Sequence, residues 1–153
     1  MMENAIILRL LRKISAKARI SAIKVLTEMS TVEENEVDCT KVEISSILVA
    51  VLTEMSKDKS EPVREEVAEN PATPKEVLTK LSMDNDWWVR CAVVRNPQIP
   101  LVVLTELSMD KDWHVRYLVA RNPKTPKEVL MKLSKDEALV VQDAAMANPS
   151  FPK

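Results

Sequence analysis

A block of apolar residues recurs along the chain at a constant step of 26 residues. Each block begins with a Val-Leu pair, has Met or Leu three residues after that leucine, and ends with Ser. The blocks begin at Val25, Val51, Val77, Val103 and Val129. The apolar residues stand at i, i+1 and i+4, the stripe of a helix that buries one face. The step predicts about five two-helix repeats, because one such unit cannot cover its own apolar face and must stack on a neighbour.

A second motif falls between these blocks and keeps the same step. Val-Arg pairs begin at Val63, Val89 and Val115, and Val141 is followed by Gln in the corresponding place. Apolar residues three and four positions after Val89 and Val115 predict a second helix in each unit. An Asn-Pro pair follows each segment and predicts the end of that helix, since a residue before proline is disfavoured in the α conformation.

Polar residues at fixed places predict where the two helices of a unit begin. Thr-Pro-Lys-Glu at Thr73 and Thr125 predicts an N-cap threonine, a proline at the first helical position and a capping-box glutamate for the first helix. The aspartates of 84–86 and 110–112 offer N-cap carboxylates for the second helix, which we expect to begin near the tryptophan that follows.

Composition excludes several functional classes. The 153 residues include no glycine, so glycine-rich phosphate loops and nucleophile elbows are excluded. A net charge of −1 gives no overall attraction to nucleic acid, and no apolar run approaches the roughly 18 residues of a membrane helix. Cys39 and Cys91 lie two repeats apart, too far for a disulfide, so we expect free thiols in a reducing cytoplasm. We predict a soluble, cytoplasmic protein that is not an enzyme and has no catalytic residues, cofactor, metal or membrane contact.

The first 24 residues differ from the rest in charge. They hold six basic residues and one acidic residue, and residues 25–62 hold three basic and nine acidic. An apolar helix with basic residues on its other side predicts an N-terminal helical cap at 1–24; those basic residues are Arg9, Arg12, Lys13, Lys17 and Arg19. A segment that binds lipid or RNA, or a transit peptide, is the alternative. The repeat array is then expected at 25–153, degenerate over 25–62 and regular over 63–153.

The regular unit resembles a known family of short helical repeats. Asp-x-Asp-Trp-x-Val-Arg-x-x-Val-x-x-Asn-Pro-x-x-Pro-x-x-Val-Leu-x-x-Leu-Ser is similar to the leucine-rich repeat variant, and its Asp-x-x-Val-Arg part is similar to HEAT repeats. The likeness is full over 63–152, and over 25–62 only the Val-Leu-Thr-Glu-Met-Ser half remains. It implies an all-α fold, a right-handed superhelix of stacked helical layers.

The resemblance also bears on individual residues. In HEAT-type repeats the arginine pairs with an aspartate, which implies contacts from Arg64, Arg90 and Arg116 to aspartates in register with them. The best-known variant protein carries an N-terminal iron–sulfur cluster. Residues 1–24 contain no cysteine to hold one, so the cluster is not carried over.

The positions that remain after the buried stripe is removed predict a partner-binding groove. On the second helix they lie one before, two after and six after the valine. Second helices usually line the concave side of helical solenoids, so these residues would share one groove. Its predicted residues are Glu65, Glu69, Trp88, Cys91, Arg95, His114, Tyr117 and Arg121.

Tryptophan, tyrosine and arginine are enriched at binding hot spots, so we predict a scaffold that holds a protein or peptide in this groove. A nucleic-acid-binding module, which would use Arg95, Arg121 and the basic cap on phosphates, is the alternative. No polar capping helix follows Pro149 in the sequence. Because an uncapped end exposes the last apolar layer, end-to-end self-association through this layer is a further expectation.

Overall fold

The structure is a computed structural model that describes residues 2–31 and 39–152, and within these ranges every regular element is an α-helix. The helices are α1 (Met2–Leu11), α2 (Ala16–Thr31), α3 (Cys39–Met55), α4 (Glu61–Glu69), α5 (Lys75–Leu81), α6 (Trp87–Arg95), α7 (Leu101–Leu107), α8 (Trp113–Arg121), α9 (Lys127–Leu133) and α10 (Leu139–Ala147). The prediction of an all-α protein is confirmed for the described residues. None of the described helices is both long and apolar enough to cross a bilayer.

Five helices, α2, α4, α6, α8 and α10, form a row in which each packs on the next. We call them the row helices, and we call α3, α5, α7 and α9, which lie between them in the chain, the connecting helices. From α4 onward every row helix has nine residues and every connecting helix has seven. Both kinds recur at the step of 26 residues that the sequence pattern predicts.

Equivalent residues of successive helices occupy equivalent buried sites. From α4 onward the third residue of each row helix is a fully buried valine, and the residue four places after it is fully buried as well. The leucine of the Val-Leu pair is fully buried in each connecting helix. These residues are Val63, Val89, Val115 and Val141; Leu52, Leu78, Leu104 and Leu130; and Val67, Val93, Val119 and Ala145. We call one row helix with its connecting helix a layer. The stripes predicted from spacing therefore form one core that extends from layer to layer.

The predicted starts of the row helices are confirmed, and those of the connecting helices are not. Asp86 Oδ1 accepts a hydrogen bond from the Trp88 N–H at 2.9 Å, and Asp112 does the same for His114. Thr125, however, is not an N-cap, because α9 begins after Pro126 without a side-chain cap. Its buried hydroxyl instead donates to the Val119 carbonyl at 2.6 Å, which satisfies the last turn of the preceding row helix. Thr73 makes the equivalent bond to α4.

Arginine–aspartate pairs join successive layers. Arg90 donates through Nε and Nη2 to both carboxylate oxygens of Asp110, at 2.6 and 2.9 Å, and through Nη1 to the carbonyls of Asp84 and Asn85. Arg64 and Arg116 repeat this arrangement with the aspartate 20 residues further on. The contacts that the HEAT resemblance implies are therefore present. They use all three guanidinium nitrogens, so these arginines are already satisfied within the protein.

The N-terminal part departs from the predicted pattern. Residues 16–31 form one helix that runs through the predicted limit between cap and array after residue 24, and α1 is separated from it by residues 12–15. The block that begins at Val25 therefore lies inside a row helix and does not end a connecting helix. The later blocks are followed by an aspartate two residues after their serine, whereas Val32 stands in that place here. This block therefore lacks the aspartate whose carboxylate accepts a backbone N–H in the later turns, as Asp84 does from Asp86.

Candidate partner-binding surface

The predicted groove residues lie on one face of the row helices. In α6, Trp88, Cys91 and Arg95 stand at i, i+3 and i+7, and these positions point in nearly the same direction. The same places hold His114, Tyr117 and Arg121 in α8, and Pro62, Glu65 and Glu69 in α4. Seven of the eight predicted residues, all except Cys91, are exposed or half-buried in the structure. This face is the candidate surface.

Cys91 was wrongly predicted to face outward. The residue is 1% exposed and belongs to the core, because its short side chain does not reach past the neighbouring helices. Tyr117 at the same place in α8 is longer and remains half-buried. Burial raises the pKa of the Cys91 thiol to about 11, so the group is uncharged at neutral pH. Cys91 is a free thiol as predicted; the side chain of Cys39 lies outside the described part of the chain.

Four aromatic rings stack at the N-terminal ends of α6 and α8, and we call them the aromatic column. Trp88 stacks on Trp87 with ring centroids 4.0 Å apart, Trp87 on His114 at 4.4 Å, and His114 on Trp113 at 3.7 Å. His114 is held in place by Asp112, whose Oδ1 lies 2.9 Å from Nδ1; the carboxylate can only accept, so Nδ1 donates. The column joins two layers and places Trp88 at one of its ends.

Of these four rings, the predicted groove includes those of Trp88 and His114. Trp87 is half-buried and touches the ring of His114 in the next row helix. Trp113 is 42% exposed, and within the described residues its ring partner is His114 of the same helix. Trp113 therefore adds to the accessible aromatic surface.

One side of α4 presents a stripe of carboxylates. Glu61, Glu65 and Glu69 follow one another at i, i+4 and i+8, and so lie on one face of the helix. Burial and repulsion by Glu69 and then Glu61 raise the pKa of Glu65 above its ordinary value. Burial and repulsion by Asp86 raise that of Glu61. The stripe is therefore a region of negative potential beside the N-terminus of α6.

Arginines occupy the opposite ends of α6 and α8. Arg95 donates through Nη1 to Glu69 at 2.8 Å, and both side chains are close to half exposed. Arg121 donates through Nη1 to the Tyr117 hydroxyl at 3.3 Å, and its guanidinium carbon lies 5.8 Å from the centre of the tyrosine ring. A cation over a tyrosine ring is attracted to its negative face, which keeps the Arg121 side chain beside Tyr117.

An open cleft of about 520 Å³ lies between α8 and α10. Its lining combines polar groups with small apolar ones; it consists of Tyr117, Arg121, Val140, Asp143, Ala144, Ala147, Asn148 and Pro149. Ala147 stands where the two preceding row helices carry Arg95 and Arg121. Because alanine replaces a long side chain, the space beside Tyr117 stays open.

Sequence reasoning missed this cleft and the role of Glu61. The predicted groove residues included none from α10, and the exchange of arginine for alanine at position 147 was the available signal. Glu61 was not among the predicted groove residues, because it stands two places before the valine, outside the three positions chosen for the groove. To predict a cleft, one must know which side chain of a neighbouring helix is short, and this depends on how the helices pack on one another.

No protein-family model matches this chain, and no curated protein matches it. The resemblance to the leucine-rich repeat variant therefore stays a prediction from the residues quoted above.

Proposed function

We propose that this chain is a non-enzymatic helical-repeat scaffold, of the leucine-rich repeat variant type, that binds a protein segment along the exposed face of its row helices. The row would form the concave side of a right-handed superhelix, in which each row helix and its connecting helix make one layer. Support for this architecture comes from the step of 26 residues between equivalent helices and from the equivalent burial of their valines and leucines.

The observation that carries the proposal is the accessible face that runs from α4 to α10. Along it lie carboxylates, an exposed indole, a tyrosine with its arginine, and a cleft large enough for a side chain. Exposed tryptophan, tyrosine and arginine on a rigid support are typical of binding hot spots, since they bury a large area at a small cost in side-chain entropy.

The stacked aromatic column is the one feature that favours the alternative, binding of single-stranded nucleic acid. Two other features weigh against it. Arg64, Arg90 and Arg116 are occupied by aspartates, and the column stands beside the carboxylates of Asp86, Asp112 and Glu61, which would repel phosphate. A protein partner therefore agrees better with the charges of this surface.

The test is selection of a library of short displayed peptides on wild-type protein and on the double variant Trp88→Ala/Tyr117→Ala. Both residues are partly exposed, so the double variant should stay folded, which circular dichroism would verify. We expect selected peptides to lose at least about tenfold in affinity on the double variant, in line with two hot-spot residues. Met109→Ala, in an exposed loop outside this face, is the matched control.

A labelled single-stranded RNA is tested in parallel at rising salt. Affinity for RNA that falls steeply with salt, together with failure to select any peptide, would replace the proposal by the nucleic-acid alternative. Peptides that bind the double variant as well as the wild type would show that the partner surface lies elsewhere.

A further inference from the structure

We propose that the segment bound here is basic and apolar: an arginine of the partner stacks on the exposed part of the Trp88 indole beside the Glu61 and Glu65 carboxylates, and an apolar side chain fills the cleft between α8 and α10. The inference rests on the proposed function and adds the chemistry and spacing of the occupant.

Two carboxylates at the α4 end of this surface make no ion pair within the described part of the protein. Among the described residues, Glu61 and Glu65 have no basic group within ion-pair distance, whereas the two other glutamates of α4 are paired with Lys24 and Arg95. The first turn of α4 also lies close to the Asp86 carboxylate that caps α6. A cation placed here would meet several carboxylates and displace none of the existing partners.

Trp88 offers an apolar surface at the same place. Its ring is 47% exposed, and within the described residues one of its faces stacks on an aromatic ring, that of Trp87. The exposed part of the indole can receive a planar group. A guanidinium suits this position better than an ammonium, since it stacks flat on an indole while its N–H groups reach carboxylates at the rim. The combination of an exposed indole and unpaired carboxylates thus selects arginine.

The second anchor follows from the cleft. Val140, Ala144 and Ala147 give it an apolar wall, and the Arg121 guanidinium lies against Tyr117 at its edge. The charges of Arg121 and Asp143, which both line the cleft, offset each other, so its preference comes from the apolar wall, against which a leucine-sized side chain would bury apolar area. The two anchors therefore have different chemistry, and they orient the segment along the row.

The spacing of the anchors follows from helix packing. The acidic and aromatic end lies between α4 and α6, and the cleft lies between α8 and α10, two helices further along the row. Packed helices lie about 8–10 Å apart, so the anchors are separated by about 18 Å. An extended chain covers about 3.3 Å per residue, which corresponds to roughly five or six residues between the arginine and the apolar residue.

The experiment uses fluorescent peptides of one serine–alanine background that carry a single arginine and a single leucine at varied separation. Fluorescence anisotropy with the wild-type protein should show the tightest binding at a separation of roughly five or six residues. Citrulline in place of the arginine should weaken binding. Glu65→Gln should weaken the arginine peptide about threefold to tenfold, and Trp88→Ala about twofold to fivefold.

Two further variants keep the result interpretable. Ala147→Leu fills the cleft at an exposed position and should remove the preference for leucine while the preference for arginine stays. Glu128→Gln, exposed on α9, is the matched control for loss of one carboxylate. Glu65→Gln removes a repulsion between carboxylates, so loss of binding in this variant cannot be ascribed to unfolding.

Equal affinity for arginine and citrulline peptides would overturn the inference. If Tyr117→Ala still weakened those peptides, the groove would stand and only its proposed selectivity would be lost. Absence of binding at every separation would overturn the inference, while selection of other peptides from the displayed library would leave the proposed function in place.

Discussion

Two parts of the molecule use the same contact between layers at different sequence spacings. The leading part comprises residues 2–31 and 39–55, with helices α1 to α3, and the regular part comprises residues 61–148, with α4 to α10. In the regular part an arginine at the fourth position of the row helix meets an aspartate 20 residues later. In the leading part Arg19, the fourth residue of α2, meets Asp58, which lies 39 residues later.

The likeness extends to the backbone. Arg19 donates through Nη1 to the carbonyl of Ile14 at 2.6 Å, five residues earlier, as Arg64 and Arg90 do to carbonyls five residues earlier. The prediction that Arg19 lies on the solvent side of the cap is wrong, since its side chain is 15% exposed. The guanidinium contact between layers is thus present even where the repeat spacing is lost.

The two parts also differ in their outer surfaces. Ile6 and Leu10 of α1, predicted as part of an apolar packing face, are 60% and 57% exposed, whereas Leu11 is buried. In the regular part the corresponding apolar stripes are buried by the next layer.

Asn96 shows how the regular layers are joined a second time: its Nδ2 donates to the carbonyls of Ala68 and Asn70 in the preceding layer. Asn70, which holds the same place at the end of the first regular row helix, instead donates to the Thr27 hydroxyl of the leading part.

The largest effect is expected from breaking the contact in the regular part. Arg90→Ala leaves the buried carboxylate of Asp110 and two backbone carbonyls without their partner. Removal of one member of a buried pair should lower the free energy of unfolding by about 3–5 kcal/mol. Urea denaturation followed by circular dichroism measures this, with exposed Lys111→Ala as control. A loss under about 1 kcal/mol would show that the pair is not important for stability.

A smaller effect is expected from the same change in the leading part. Arg19→Ala removes a pair that is less buried, and we expect a loss of about 1–3 kcal/mol. Hydrogen exchange should show faster exchange of α2 amides, with α8 unchanged, because the contact joins α2 to the turn after α3. Lys17→Ala, exposed on the same helix, is the control. Unchanged exchange in α2 would mean that Arg19 does not have the role of the regular arginines.

The smallest effect concerns Glu65 and is distinguished by its pH dependence. Burial and repulsion raise the pKa of Glu65 from its ordinary 4.5 in the folded state. Its favourable contribution is therefore present below pH 4.5 and is lost as the pH rises through the raised value. Glu65→Gln should thus increase stability at pH 7 by about 0.2–0.5 kcal/mol per repelling i,i+4 pair, and by less at pH 4. Urea midpoints at the two pH values measure this.

The contribution of Asp136 to stability is expected to depend on pH in the opposite direction. Hydrogen bonds from Arg116 lower its pKa from the ordinary 3.8 and outweigh the effect of burial. Its stabilisation is fully present above pH 3.8 and is lost as the pH falls through the lowered value. Asp136→Asn should therefore be destabilised at pH 7 and approach the wild type in strong acid. Glu65→Gln and Asp136→Asn curves of the same sign would contradict this assignment of charges.

Local sequence determined most of the regular fold. The limits of the row helices could be predicted, because Asp86 and Asp112 cap them and Asn-Pro ends them, and both effects act within a few residues. The buried stripes could also be predicted, since the repeat places equivalent residues in register, and the resemblance to HEAT repeats implied the arginine–aspartate pairs. The accessible face followed from the same periodicity, except at Cys91.

Tertiary structure decided the features that depend on which neighbour a residue meets. The sequence pattern could not show that Arg19 replaces a missing repeat arginine, because its partner is 39 residues away rather than 20. It could not show that Cys91 is covered or that Ala147 leaves a cleft beside Tyr117. Periodicity gives the direction of a side chain from its own helix, whereas its burial depends on the size of side chains contributed by the next helix in the row.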